Sequence, residues 1–306
     1  MTTLRQLHYL VALSEELHFR RAAEQVNVTQ PTLSAQIQEL EKKLRAPLVE
    51  RGASRVTLTP LGREIAERAR RVLSDVQDIA DLAASSQHGF DGTIRLGVPP
   101  TLGPYLLPHI VPDLHGKYPD LRLYVREGKP IELQGQLQSG GFDLVISPMP
   151  IAHGDLEVER LFREPLKIVA APDHPLASKP RILSSDLAGQ SVLAIERGHH
   201  LHEQVSQLCE DFDATLLRDY EGTSLDTLRL MAGMGVGLAF LPALYVRSEI
   251  DGRSEIAILD LNMPNLFRQM GLAWRKRSVH AALFKEIADL IRTTAERKLP
   301  DVTVTR

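Results

Sequence analysis

The side chains best suited to chemistry cluster late in the chain: His199, His200 and His202, with Cys209 further along the same predicted helix. Imidazole and thiolate suit transition-metal ions, yet this spacing matches no closed zinc-type site. An alternative use is an anion pocket lined by one or two of the imidazoles, which would make binding depend on pH near neutrality. Cys209 shares a helical stripe with Leu201, Val205, Leu208 and Phe212, where cysteine packs as a small hydrophobe. It is the only cysteine in the chain, so an intramolecular disulfide is excluded, and a lone thiol fits a reducing, cytoplasmic compartment. No metal and no other cofactor is expected.

The elements around these residues read as strand, helix, strand, helix, strand: Thr93–Val98, Gly103–His115, Leu121–Glu127, Ile131–Ser139 and Asp143–Ser147. A second series follows, with strands near Leu166–Ala171, Ser191–Ile195, Leu216–Glu221 and Gly237–Leu241 and helices near Leu201–Phe212 and Ser224–Met234. This is an α/β pattern repeated as two lobes. A late strand, Met270–Trp274, and a helix near Val279–Lys298 can return the chain to the first lobe, leaving two crossing segments and a cleft. Helices start just after strands at Thr101, Pro130, His199-His200 and Thr223-Ser224. Ligands of open α/β sheets bind beyond the carboxyl ends of strands, and helix N–H groups favour an anion. A small carboxylate-like effector is the expectation, with Pro100, Thr101, Pro130, Ser147, His199, His200 and Thr223 as candidate contacts. Each helix start also reads, taken alone, as an ordinary cap.

The first sixty residues differ in kind. Leu4, Leu7, Val11 and Leu17 mark one amphipathic helix, and Arg20 to Val26 a short second one. Thr29 is a cap and Pro31 sits in the first turn of a third helix. Its Leu33, Ile37, Leu40 and Leu44 point inward, leaving Pro31, Ala35 and Gln38, flanked by Thr32 and Ser34, as a polar, nearly uncharged face. Short polar side chains near a helix N-terminus can read base edges, so Gln30, Ser34 and Gln38 are candidate readers. Arg20, Thr29, Pro31 and Thr32 complete the candidate contacts. Leu48–Glu50 and Val56–Leu58 form a hairpin wing whose Arg51 and Arg55 can reach backbone phosphate. A second cap-and-proline start, Thr59-Pro60, opens a helix to about Gln87, stopped by Gly89 and Gly92. Its Leu61, Ile65, Ala69, Val72, Val76, Ile79 and Ala83 alternate steps of three and four, the seam of a two-helix packing, and imply a homodimer.

These segments are strongly similar to LysR-type transcriptional regulators over essentially the whole length. The resemblance is carried by the run from Phe19 to Ser34 (FRRAAEQVNVTQPTLS), Leu40-Glu41, the Leu48–Arg51 wing and Leu58-Thr59-Pro60-Leu61-Gly62. It implies an all-α winged helix-turn-helix (1–59), a dimerising linker helix (60–90) and a two-lobed, periplasmic-binding-protein-like α/β effector domain (91–306). Lobe I would comprise 91–164 and 269–306, and lobe II 165–268. It also implies a DNA-binding regulator, not an enzyme, commonly a tetramer on double-stranded promoter DNA. No nucleophile elbow, Walker loop or zinc-protease helix contradicts this. Gly233-Met234-Gly235-Val236-Gly237 follows a helix and precedes a strand, the reverse of a dinucleotide loop.

Within that family the effector domain resembles the OxyR subgroup through Pro100–Pro108 and Thr223–Arg229. The resemblance places the subgroup's peroxidatic cysteine at His200 and its resolving cysteine at Cys209. An imidazole forms neither sulfenate nor disulfide, so peroxide sensing by a cysteine pair is not expected. A redox regulator using Cys209 alone is the alternative to the anion effector. Pro130 stands where the subgroup has threonine, while Thr101, His199 and Arg275 match, so the resemblance implies that a pocket remains and adds Arg275 to the candidate effector contacts. No run is long and apolar enough for a bilayer, and the start lacks the order of a signal peptide.

Overall fold

The computed structural model describes residues 2–51, 56–85, 92–151, 154–250, 252, 254–261, 263 and 265–305. It divides into two compact units, 1–89 with 136–142, and 90–135 with 143–306.

In the first unit, helices α1 (Leu4–Glu16), α2 (Phe19–Gln25) and α3 (Gln30–Leu44) precede strands β1 (Val49–Arg51) and β2 (Val56–Leu58) and the long helix α4 (Pro60–Ser85). Leu10, Leu13, Leu33, Ile37 and Leu40 are fully buried and form the core with Ala66 of α4. The predicted stripe on α3 therefore holds except at its end, where Leu44 is exposed. Thr29 caps α3 by accepting from the Thr32 N–H at 3.4 Å, and the left-handed backbone of Asn27 turns the chain between α2 and α3. β1 and β2 pair antiparallel from Val49↔Leu58 to Arg51↔Val56. Along the expected seam of α4, Ala69 is buried and Ile65 packs against the core. Leu61, Val72, Val76 and Ile79 are exposed, Ile79 by 68%. Gln87, Gly89 and the side chain of Ala83 lie outside the described residues.

The second unit is a mixed sheet with helices. Its elements are β3 (Thr93–Val98), α5 (Gly103–Lys117), β4 (Arg122–Glu127), α6 (Pro130–Gln138, of which 136–138 fall in the first unit), β5 (Leu144–Pro148), β6 (Leu156–Ala170), β7 (Ser191–Ile195), α7 (His200–Asp211), β8 (Thr215–Gly222), α8 (Leu225–Gly233), β9 (Leu238–Pro242), α9 (Ala243–Glu249), β10 (Ala257–Leu259), β11 (Phe267–Arg275), α10 (Ala281–Lys298) and β12 (Thr303–Val304). The strand order is β4-β3-β5-β11-β6-β9-β7-β8, with β10 and β12 also on β6. β3, β4 and β5 run parallel in one lobe, as do β7, β8 and β9 in the other. Each lobe has its own core: Ile94, Val98, Trp274 and Phe284 in the first, Ile168, Leu193, Val205 and Phe240 in the second.

β6 joins the lobes. Residues 156–165 pair with β11, whereas 166–169 pair with β9. The sequence pattern indicated only the second part, because Glu157, Glu159, Arg160, Arg163 and Glu164 interrupt the apolar alternation that marks a strand. The return crossing precedes β11, where the Leu166 N–H donates to the Leu266 carbonyl at 3.0 Å. The two expected crossing segments thus lie side by side, at Glu164–Leu166 and Leu266–Arg268.

Candidate functional site

In the first unit, Thr29, Gln30, Pro31, Thr32 and Gln38 are exposed and Ser34 is half-buried, so one open face of α3 carries the candidate readers. Arg20 is exposed and bonded to Glu24 through Nε at 3.1 Å. Arg51 ends β1; its side chain and all of Arg55 lie outside the described residues.

In the second unit a buried ion pair sits where the lobes cross. Arg268 of β11 donates from Nε to Glu164 Oε2 at 2.8 Å, and the two side chains are 1% and 0% exposed. The other Glu164 oxygen accepts from the Leu244 N–H at 3.0 Å. The remaining guanidinium arms bond Thr101: Nη1 to Oγ1 at 2.9 Å and Nη2 to the carbonyl at 2.7 Å. Thr101, expected to face a ligand, is buried and occupied in holding this arginine. The lobes also meet through Lys129, whose Nζ lies 3.1 Å from Glu196 Oε1 and 3.3 Å from the Arg197 carbonyl.

Beside this pair stands the start of α7. Gly198, at φ +90°, makes the turn into it. His199 is 4% exposed and its Nε2 faces Glu196 Oε1 at 3.7 Å. Burial, then Lys129, hold its imidazole below the ordinary value of 6.5. Burial likewise lowers His200, with Arg268 acting in the same direction. Met149, whose N–H donates to the Gln269 carbonyl at 2.8 Å, lies beside the His200 ring. Gln204, one turn further on the same face, donates its amide to the Phe267 carbonyl at 2.9 Å.

This accounting leaves His199 Nδ1, His200 Nδ1 and Gln204 Oε1 buried without a partner among the described residues. Gln204 Oε1 is an acceptor, and each imidazole Nδ1 donates or accepts according to the tautomer of its ring. Burying such groups unpaired is costly.

The other predicted residues separate from this point. Ser147 is buried and accepts from Gln134 Nε2 at 3.4 Å; Pro130 is buried at the start of α6 and Pro100 half-buried. Thr223 is exposed, and the start of α8 is satisfied by its own cap, Ser224, which accepts from the Thr227 N–H. Only part of the expected convergence of helix starts is therefore realised. Arg275 does not join the site. It faces Asp143 at 3.7 Å, seven residues and about 23 Å along β11 from Arg268. Arg268 and Glu164 are the charged residues that sequence reasoning missed; two charges interrupting neighbouring apolar strands were the available signal. Cys209 is 4% exposed, and burial pushes its thiol up to about 11. His202 bonds the Ile195 carbonyl, and no group of three potential metal ligands occurs among the described residues.

Comparison with known proteins agrees with this architecture. Residues 4–63 match the bacterial regulatory helix-turn-helix protein model of the lysR family, and 87–296 match the LysR substrate binding domain. The chain belongs to the LysR family of bacterial transcription regulators: it is a DNA-binding regulator, not an enzyme. It is 39% identical over 290 residues to the hydrogen peroxide-inducible genes activator of Pectobacterium carotovorum subsp. carotovorum, covering 94% of this chain and 95% of that one. A full-length OxyR mutant from Pseudomonas aeruginosa superposes with a TM-score of 0.81 at 34% identity, covering 100% and 98% of the two chains. An OxyR mutant from Corynebacterium glutamicum with hydrogen peroxide bound gives 0.66 at 27% identity, covering 97% and 94%. The resemblance to the OxyR subgroup thus holds. No helix among the described residues is long and apolar enough to cross a membrane.

Proposed function

We propose that this LysR-family regulator responds to a small, uncharged, donor-bearing molecule of the hydrogen peroxide class, held without covalent chemistry between its lobes. The observation that carries this reading is the set of three buried polar atoms without a partner among the described residues, His199 Nδ1, His200 Nδ1 and Gln204 Oε1, which a molecule that both donates and accepts can satisfy. It replaces the small anion expected from the helix starts. An anion here would face the Gln204 oxygen, burial holds both imidazoles away from their charged form, and Arg268, the one buried cation among the described residues, is already offset by Glu164. The relatives' names also favour an oxidant over an anion.

Around this site the reading assigns base contacts to Gln30, Ser34 and Gln38 and backbone contacts to Arg20, Thr29, Thr32, Arg51 and Arg55. The exposed seam of α4 joins two copies, dimers pair into tetramers on promoter DNA, and the protein acts in the cytoplasm. The division 1–59, 60–90 and 91–306 serves these roles. The ligand shifts the angle between lobes only through its differential affinity for two arrangements.

A second reading, oxidation of Cys209 itself, is favoured by the relatives' names and by the absence of any other thiol in the sequence. Its 4% exposure and raised thiol range oppose it, because the thiolate is the reacting species. The test is fluorescence anisotropy on promoter DNA flanking the protein's own coding region, with peroxide and then a panel of organic acids, for the wild type and Cys209→Ser. A peroxide response that survives Cys209→Ser supports the first reading. Its loss in that variant supports the second, and a response to acids alone restores the anion.

A further inference from the structure

The wing has three residues in each strand, too little pairing to hold a direction by itself. Its orientation is fixed at one residue, Leu48. Glu41 of α3 uses a single carboxylate oxygen, Oε1, to accept from the Leu48 N–H at 2.8 Å and the Val49 N–H at 3.1 Å. The Leu48 carbonyl accepts from the Thr59 N–H at 3.0 Å. Thr59 also donates its hydroxyl to the Pro47 carbonyl at 3.0 Å and accepts from the Gly62 N–H at 2.9 Å. Gly62, in the first turn of α4, approaches so closely that an added Cβ would stand 2.1 Å from the Leu48 oxygen. Arg63 closes the far side by donating to the Leu58 carbonyl at 2.8 Å. The Leu48 side chain is fully buried in the core of this unit. Helix α3, the hairpin and α4 therefore all meet on one backbone unit.

We propose that Glu41 is a positioning residue for DNA reading: its carboxylate ties the wing to α3 so that helix and wing engage the duplex together. The carboxylate itself would be repelled by phosphate, so its role runs through the two N–H groups that it holds. Two lone pairs on one oxygen suit two adjacent donors, and the negative charge strengthens both bonds. This rests on the reading that α3 and the wing both touch DNA.

The experiment uses the full-length chain as wild type, Glu41→Gln, Glu41→Asp and Glu41→Leu, with anisotropy on the promoter fragment and on unrelated DNA across a salt series. Gln retains an oxygen at the same reach and is expected within about twofold of wild type. Asp is one methylene shorter and Leu accepts nothing. Both are expected to lose wing contacts, lowering the salt slope by about one to two and weakening binding about tenfold, while the ratio of promoter to unrelated DNA changes less than threefold. Circular dichroism identifies a variant that fails to fold; if that is Leu, Asp against Gln decides. A wild-type slope in Asp overturns the proposal, as does loss in Gln equal to that in Asp. A wild-type protein whose DNA affinity ignores salt would overturn the underlying reading of phosphate contacts instead.

Discussion

Glu164→Gln tests whether the crossing of the lobes is held by charge. The substitution keeps an oxygen for the Leu244 N–H and nearly all of the volume, but it removes the countercharge of Arg268 in a place where both side chains are 1% exposed or less. Breaking a buried ion pair from one side costs about 3–5 kcal/mol, since the remaining charge stays desolvated. Arg268 keeps its two bonds to Thr101, which puts the expected loss at the low end, about 3 kcal/mol. For a unit of this size each kcal/mol lowers Tm by about 2–4 °C, giving a fall of about 6–12 °C. Trp274 makes the assay selective: it is the only tryptophan in the sequence and is buried in the core of lobe I, so its fluorescence follows the second unit alone. The double variant Glu164→Gln with Arg268→Met, which removes both charges and keeps an acceptor for the Leu244 N–H, is expected to recover part of the stability. A fall below about 2 °C for Glu164→Gln, or a double variant worse than the single one, would refute the argument from charge.

Other consequences concern pH, the thiol and the wing. Burial holds His199, His200 and His109 below 6.5, so the unfolded chain takes up protons first as pH falls through that value. Stability is therefore present above 6.5 and declines below it; a Tm series from pH 8 to pH 5 should show this, and His199→Asn with His200→Gln should flatten it. Asp113 is held at about 2 by Lys298, Thr294 and Arg297, so its contribution is present above 3.8 and lost only as pH falls toward 2. Alkylation of Cys209 at pH 7 should be at least a hundredfold slower in the native chain than in urea, given a thiol near 11; comparable rates would return the thiol to consideration as a sensor. Gly62→Ala should abolish DNA binding or cost several kcal/mol, because the added carbon meets backbone rather than a movable side chain.

How much of this was readable in advance depended on whether the deciding interaction was local. Helix α3 follows from the spacing of Leu33, Ile37 and Leu40 and from the Thr29 cap, all within one dozen residues, and both appear as read. The first ten residues of β6 were not readable, because its charged residues find partners on distant elements: Glu164 on Arg268, 104 positions away, and Glu159 on Arg292. The proposed signal site was half legible: the histidines at the start of α7, just beyond the carboxyl end of β7, were visible in the sequence. The part of Gln204 was not, since helix starts suggest donors, whereas its buried side-chain oxygen is an acceptor left without a partner among the described residues. The choice of Arg275 over Arg268 shows the same limit. Both lie on β11, and only the register with β6 tells which end of the strand reaches the crossing.

The most direct test of non-covalent signal binding is to form the complex with promoter DNA without reductant, add peroxide until anisotropy changes, then remove the peroxide with catalase. With non-covalent binding the signal returns to its starting value on catalase alone, in wild type and in Cys209→Ser, and His200→Leu gives no response. A change that persists after catalase and is reversed only by dithiothreitol would contradict it and place the chemistry on Cys209.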